Sequence, residues 1–125
     1  GLSPSACLRR VNMLEQSDTI SGYYAELNAN RLDYDVVVLV QITLTGQSAT
    51  ILNDFEQAVV RIPNLLACFL MAGAKDYILR IAAKDVADYG EIHSMHLAAL
   101  PHVQSMESNF VLRTVINRGL PVELI

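Results

Sequence analysis

The sequence has few of the residues that mark disulfide-rich, zinc-binding or membrane-spanning proteins. Tryptophan is absent, and the two cysteines, Cys7 and Cys68, are too far apart for a CxxC motif. This spacing predicts neither a disulfide framework nor a zinc site, so we expect two reduced, buried thiols. No apolar run approaches the ~18 residues of a membrane-spanning helix, and no secretory signal pattern is visible. We therefore expect a cytoplasmic protein that has no membrane partner.

Positive charge is scarce and unevenly distributed. The chain has 9 basic and 13 acidic residues and a net charge of −4. Residues 1–14 contain Arg9 and Arg10 and no acid, whereas residues 15–125 contain seven basic and thirteen acidic residues, a net charge of −6. An acidic surface repels a polyanion, while a small basic segment can approach one. We expect the main body of the protein to do something other than bind nucleic acid.

Hydrophobic periodicity and turn residues predict an α+β protein. Ser3 and Pro4 begin a first helix, as N-cap and first helical residue, and Ile20 to Leu27 alternates like a strand. From Asp35 onward the predicted order is strand, helix, strand, strand, helix, strand, which is the split βαβ pattern of the ferredoxin-like fold. These six elements are predicted as strand 36–44, helix 51–62, strand 65–72, strand 77–83, helix 84–100 and strand 103–116.

A ferredoxin-like sheet is covered by helices on one face only. The predicted strands leave apolar residues for the other face, and we place Val38, Val40 and Val111 there. Large exposed apolar patches usually mark an interface. The pattern therefore predicts dimers that pair through their sheets.

Four stretches of the chain resemble the leucine-responsive/AsnC family of transcriptional regulators. Residues 2–15 (LSPSACLRRVNMLE) resemble the recognition helix of the family's winged helix-turn-helix, and residues 20–25 (ISGYYA) resemble the strand that follows it. Residues 71–80 (MAGAKDYILR) resemble the effector loop, and residues 108–115 (SNFVLRTV) resemble the closing strand. The four stretches occur in the family's order over nearly the whole chain.

The resemblance implies a three-part organisation and an amino-acid-responsive regulator. Residues 1–20 would be the remnant of a winged helix-turn-helix, residues 21–34 a hinge strand and linker, and residues 35–125 a ferredoxin-like effector-binding and oligomerisation domain. In this family the domains form homo-oligomers, as dimers and commonly as tetramers of dimers. A small amino acid bound between dimers changes assembly or DNA affinity. The alternative for residues 1–30 is that they belong to the same domain as the rest.

The first helix holds the DNA-binding candidates. Under the resemblance, Arg9 and Arg10 reach base edges or phosphates, and Ser3 and Ser5 donate to phosphate oxygens. A helix-turn-helix also needs an earlier bracing helix, so DNA is expected as a partner only if the N-terminal head is complete. Two alternatives stay open. The arginines are solvated on a helix surface, or the chain is a stand-alone sensor and oligomerisation domain that does not bind DNA by itself.

The turn formed by Gly73, Ala74, Lys75 and Asp76 is the effector-binding candidate. Glycine accepts unusual dihedrals, so such a turn can present backbone N–H groups to a ligand carboxylate, while Asp76 can bind the ligand ammonium. The alternative is an ordinary hairpin turn, in which glycine and aspartate serve conformation alone. The turn departs from the family pattern at Ala72, where a hydroxyl residue is common, and at Ala74–Lys75, which replaces an acidic-aromatic pair.

The three histidines do not predict a metal site. His93 and His96 are three residues apart on a predicted helix, but the pattern offers no third ligand that converges with them, and His102 lies beyond the helix. No Ser-His-Asp order and no glycine-rich phosphate loop indicates catalysis. We expect no metal, no other cofactor and no enzymatic activity. A small ferredoxin-like enzyme is the remaining alternative.

Overall fold

The computed structural model describes residues 1–121. The elements in chain order are α1 (Pro4–Gln16), β1 (Val36–Leu44), α2 (Ala49–Val59), β2 (Leu65–Leu70), β3 (Tyr77–Ala83), α3 (Val86–Met95) and β4 (Val103–Phe110), with short 3-10 turns at Ala29–Leu32 and Leu97–Ala99. The four strands form one antiparallel sheet in the order β2-β3-β1-β4. This arrangement is the ferredoxin-like fold, and the predicted fold class is confirmed.

The core lies between the sheet and the two helices α2 and α3. The central strands β1 and β3 each contribute every second residue to it, because successive side chains of a strand point to opposite faces. The residues of these strands that belong to the core are Val38, Val40, Ile42 and Leu44 on β1 and Tyr77, Leu79, Ile81 and Ala83 on β3. Phe55 and Val59 of α2 and Tyr89 and Ile92 of α3 close the core from the helix side. Burying each large side chain contributes about 1.5–3 kcal/mol.

Side-chain caps determine where the helices begin. The Ser48 hydroxyl oxygen accepts a hydrogen bond from the Ile51 N–H at 3.3 Å, and the Asp85 carboxylate accepts one from the Asp88 N–H at 2.7 Å. Each bond satisfies a backbone donor that a helix N-terminus leaves without an internal partner. Because Asp85 is the cap, α3 starts at Val86, two residues after the predicted start at residue 84.

The open face of the sheet carries the odd-numbered residues of β1. Leu39 is paired with Arg80 of β3 and Asn109 of β4, so these three side chains share that face. The prediction that Val38 and Val40 lie there is wrong, since both are fully buried against the helices. The run 36–40 is apolar at every position, and a strand without alternation does not reveal which of its faces is covered. Val111 follows β4, and its N–H donates to the Val37 carbonyl at 2.9 Å.

Two of the predicted strands are shorter than expected. β4 ends at Phe110, which is paired with Val38, so the ladder ends close to where β1 begins. β2 ends at Leu70 instead of residue 72. Both overestimates have the same cause: the apolar pattern continues past the last paired residue of the strand, so the pattern alone does not show where the strand ends.

The segment between α1 and the sheet contains no strand. Residues 21–28 form neither helix nor strand, and the side chains of Tyr23 and Tyr24 are 74% and 90% exposed. The strand predicted at Ile20–Leu27 is therefore wrong for the single chain, because no described strand of the chain lies beside it. The expectation of two buried thiols is also wrong for Cys7, which is exposed, while Cys68 is half-buried.

Tyr77 joins the sheet to α2 by stacking and by a hydrogen bond. Its ring centroid lies 4.4 Å from that of Phe55, and its hydroxyl donates to the Glu56 carboxylate at 2.6 Å. Burial, and then the bond to Glu56, raises the pKa of Tyr77 well above its ordinary value. The folded protein therefore holds this proton more tightly than the unfolded chain, and stability present below pH ~10 is lost as the pH rises further.

We expect Tyr77→Phe to lower the free energy of unfolding by about 1–2 kcal/mol at pH 7, because Glu56 loses its donor. Urea denaturation at pH 7 and pH 10.5 measures this. The variant should also lose less stability than the wild type between the two pH values. Glu56→Gln retains an acceptor and serves as control, with a smaller loss at pH 7. An equal alkaline loss in wild type and Tyr77→Phe would show that Tyr77 does not contribute to it.

Candidate functional site

The predicted effector loop lies at one wall of an open cleft. The cleft has a volume of about 510 Å³, and its lining residues are Gln47, Leu52, Leu70, Met71, Ala72, Gly73 and Asp76. Gly73 has a φ of +156°, a conformation that residues with a side chain rarely adopt, and this is what lets the chain turn between β2 and β3. Of the four predicted residues, Gly73 and Asp76 line the cleft, whereas Ala74 and Lys75 lie on the loop outside the lining.

Asp76 forms hydrogen bonds to three segments of the chain around the cleft. Its side chain is 6% exposed, and both carboxylate oxygens accept hydrogen bonds. One oxygen accepts from the Leu44 N–H at 2.8 Å and the other from the Gln47 side-chain amide at 2.7 Å. Its own N–H donates to the Ile42 carbonyl, and its carbonyl accepts from the Met71 N–H. Asp76 therefore connects the end of β1, the loop before α2 and the end of β2.

The cleft combines an apolar wall with a polar end. Leu70 and Met71 are 58% and 41% exposed, and Leu52 of α2 lies with them, while Gln47 and the Asp76 carboxylate provide the polar groups. Small-molecule sites are commonly of this kind, with a mostly apolar lining and a few polar groups that orient the ligand. The arrangement suits a small molecule that has an apolar part and a cationic or hydrogen-bonding end.

Gln47 is a site residue that the sequence reasoning missed. It follows the Thr45–Gly46 turn and precedes the cap of α2, where nothing in its local sequence distinguishes it from an ordinary loop residue. Its importance comes from a contact with Asp76, 29 positions further along the chain. Only the fold brings these two residues together.

The DNA-binding candidates lie on an exposed helix. Ser3 is the N-cap of α1, and its hydroxyl oxygen accepts from the Ala6 N–H at 3.2 Å and lies 3.4 Å from the Ser5 hydroxyl. Arg9 and Arg10 are both exposed and, being consecutive, point about 100° apart around the helix. No residue of α1 is buried. The structure thus brings Ser3 and Ser5 together and does not gather the two arginines with them.

Two of the three histidines contact other side chains of the fold. The His102 ring lies 2.9 Å from the Asp54 carboxylate, which connects the turn before β4 to α2. His93 packs edge-on against Tyr89 with the ring centroids 6.1 Å apart. Among residues 1–121, no three His, Cys, Asp or Glu side chains are grouped so that they could hold a metal ion. Over the same part of the chain, every helix is too short or too polar to cross a bilayer.

Comparison with known proteins identifies relatives that share both sequence and fold. Residues 37–121 match the family described as the Lrp/AsnC ligand binding domain. The chain is 39% identical over 116 residues to the HTH-type transcriptional regulator y4sM of Sinorhizobium fredii, covering 93% of this chain and 91% of that protein. It is 38% identical over 121 residues to the Bkd operon transcriptional regulator of Pseudomonas aeruginosa, covering 97% and 79%.

A solved structure of another transcriptional regulator has the same fold as this chain. A transcriptional regulator of Neisseria meningitidis in complex with L-Met superimposes with a TM-score of 0.88 at 28% identity, covering 99% of this chain and 81% of that one. The family match includes all of the sheet except Val36, both core helices and the loop of the cleft. This chain belongs to the Lrp/AsnC family of transcriptional regulators, and its residues 37–121 match the family's ligand binding domain.

Proposed function

We propose that the chain is an amino-acid-responsive transcriptional regulator whose effector binds in the cleft beside Gly73–Asp76. The proposal rests on the buried carboxylate of Asp76, which lines the cleft together with apolar residues. Asp76 lies on a loop within the part of the chain that matches the family's ligand binding domain. The relative from Neisseria meningitidis was solved with L-Met. A free amino acid of this type has the ammonium, the carboxylate and the apolar side chain that the cleft can accommodate.

In this proposal, different residues of the loop and its neighbours bind the carboxylate, the ammonium and the side chain of the ligand. Backbone N–H groups of Gly73, Ala74 and Lys75 receive the ligand carboxylate, since consecutive N–H groups in a turn form an anion-binding concavity. Asp76 receives the ammonium. Leu52 of α2 and the exposed end of β2 surround the apolar side chain.

The open sheet face supports a homo-oligomer. Leu39 and Phe69 are 38% and 56% exposed on it, with Ile78 between them in the sheet. An apolar face without a covering layer usually marks an interface. In our proposal two copies pair through this face, and dimers assemble further into tetramers of dimers around the clefts, so that a bound amino acid changes which assembly is favoured.

The N-terminal residues provide the DNA-binding part of the proposal. Residues 1–20 belong to the DNA-binding head, with Ser3, Ser5, Arg9 and Arg10 at the nucleic acid, and residues 21–34 are the hinge. The regulator acts in the cytoplasm, where its DNA is, and has no enzymatic activity. The second candidate function is a stand-alone sensor and oligomerisation domain. It is favoured by the net charge of −6 over residues 15–125, which disfavours contact of that part with a polyanion.

Ligand binding should be visible as thermal stabilisation. We expect L-methionine or another apolar amino acid, at 100 times its Kd, to stabilise the native protein by ~2.7 kcal/mol and to raise the unfolding midpoint. The measurement is thermal unfolding against a panel of common amino acids, with the oligomer mass recorded for each. If none of the amino acids stabilises the protein while the oligomer stays intact, the sensing function is contradicted. Oligomerisation then remains as the function of the domain.

Asp76 should contribute to stability even without ligand. We expect Asp76→Ala to lower the free energy of unfolding by about 1–3 kcal/mol, because the buried Leu44 N–H loses its acceptor. Asp76→Asn retains an acceptor oxygen and should lose less. Glu91→Ala, an exposed acid on α3, is the matched control and should change stability little. Urea denaturation of the three ligand-free variants measures these differences, and equal stability of Asp76→Ala and Glu91→Ala would contradict the bracing role.

The sheet-face dimer can be tested at its central apolar residue. We expect Leu39→Lys to convert dimers into monomers at micromolar concentration, because it places a charge in the desolvated centre of the interface. Met95→Lys is the control, since Met95 is 69% exposed on the helix side of the domain. Light scattering measures the mass of both variants. A Leu39→Lys protein that keeps the wild-type mass would place the interface elsewhere.

A further inference from the structure

We infer that Gln47 is a built-in competitor for the ammonium of the effector. Its side-chain amide donates to one oxygen of the Asp76 carboxylate at 2.7 Å. That oxygen is the acceptor that an ammonium would use, so the ligand has to displace Gln47 to bind. This inference rests on the proposed effector site and adds its mode of regulation.

The two oxygens of Asp76 differ in how firmly their partners are held. One is bonded to the Leu44 N–H, a backbone group at the end of a central strand that is itself buried. The other is bonded to the side chain of Gln47, which is an exposed residue in the loop before α2. A side chain can change rotamer without disturbing the sheet, whereas the Leu44 N–H cannot leave its position. The bond to Gln47 is therefore the exchangeable one.

Electrostatics favours the exchange. Among residues 1–121, no lysine, arginine or histidine forms an ion pair with Asp76, so the described donors to this buried carboxylate are neutral amides. Hydrogen bonds between two charged groups are shorter and stronger than those from a neutral donor. An ammonium that enters the cleft replaces an amide by a full positive charge beside a buried negative charge. A ligand without an ammonium gains nothing from the exchange.

The position of Gln47 gives the exchange a structural consequence. The loop of residues 45–48 leads directly to Ser48, the N-cap of α2, and Leu52 in the next turn lines the same cleft. Gly46 in this loop lies close to α2, since a Cβ added there would be 3.0 Å from the Ile51 side chain. Release of Gln47 from Asp76 therefore frees the loop that leads to the start of α2. Through this loop, effector binding affects the position of that helix.

The test compares ligands with and without an ammonium on variants of Gln47. L-methionine and L-leucine are titrated by calorimetry into the oligomer, alongside their des-amino analogues 4-(methylthio)butanoate and 4-methylpentanoate. We expect Gln47→Ala to bind the amino acids about tenfold more tightly than the wild type, since the internal donor no longer competes. The affinity for the des-amino analogues should not change. Gln47→Met, which keeps the length of the side chain without its donor, should behave in the same way.

Gln57→Ala is the matched control, because Gln57 is an exposed glutamine on α2 that does not line the cleft. An unchanged or weaker affinity of Gln47→Ala for both amino acids, with binding by the wild type intact, would overturn the competitor role alone. An equal gain for amino acids and des-amino analogues would also overturn it, since that indicates a loosened cleft. Binding of neither amino acid by wild type or variants would remove the proposed effector site itself.

Discussion

The buried carboxylate of Asp76 is the constraint on which the cleft side of this protein depends. A charged group with 6% exposure is stable there only because two donors satisfy it, and those donors come from the end of β1 and from the loop that follows. Since Asp76 also begins the return into β3, one side chain positions the hairpin against the central strand. The shape of the cleft is thus a consequence of satisfying one buried charge.

The sheet has two unlike faces, and this difference sets how the domain is used. On one face, alternate residues of β1 and β3 are fully buried under α2 and α3. On the other face, apolar Leu39 is paired with polar Arg80 and Asn109, while Phe69 is paired with Ile78. Interfaces that form between already folded partners commonly mix apolar and polar groups in this way, whereas a core does not. The open face is therefore suited to contact with a second folded domain.

The fold could be predicted from the sequence because each central strand is bounded by turn residues. Thr45–Gly46 ends β1 and Gly73–Asp76 precedes β3, and both strands were predicted with the bounds they have. The phase of Val36–Val40 could not be predicted, because every position is apolar and either face fits. The end of β4 at Phe110 depends on where its partner begins, which is a tertiary property.

The candidate site was predicted only in part, for a related reason. The loop itself was found through its glycine, its aspartate and its resemblance to a family loop. What the sequence did not reveal is that Asp76 already has partners, one of them a backbone N–H of β1 and the other Gln47. Hydrogen bonds between residues about thirty positions apart have no local signature. The distinction between a ligand-binding and a bracing carboxylate therefore requires the fold.

The exposed state of α1 constrains how a ligand signal reaches the N-terminal helix. No residue of α1 is buried, and the side-chain hydrogen bonds of its end go to neighbouring residues, such as the one from the Tyr23 hydroxyl to Glu15. Within residues 1–121, α1 therefore has no packed surface through which a movement of α2 could be transmitted inside one chain. Packed contacts are the usual carriers of coupling between distant sites. In the proposed function, coupling of the cleft to this helix passes through contacts between copies of the chain, and a change of assembly carries the signal.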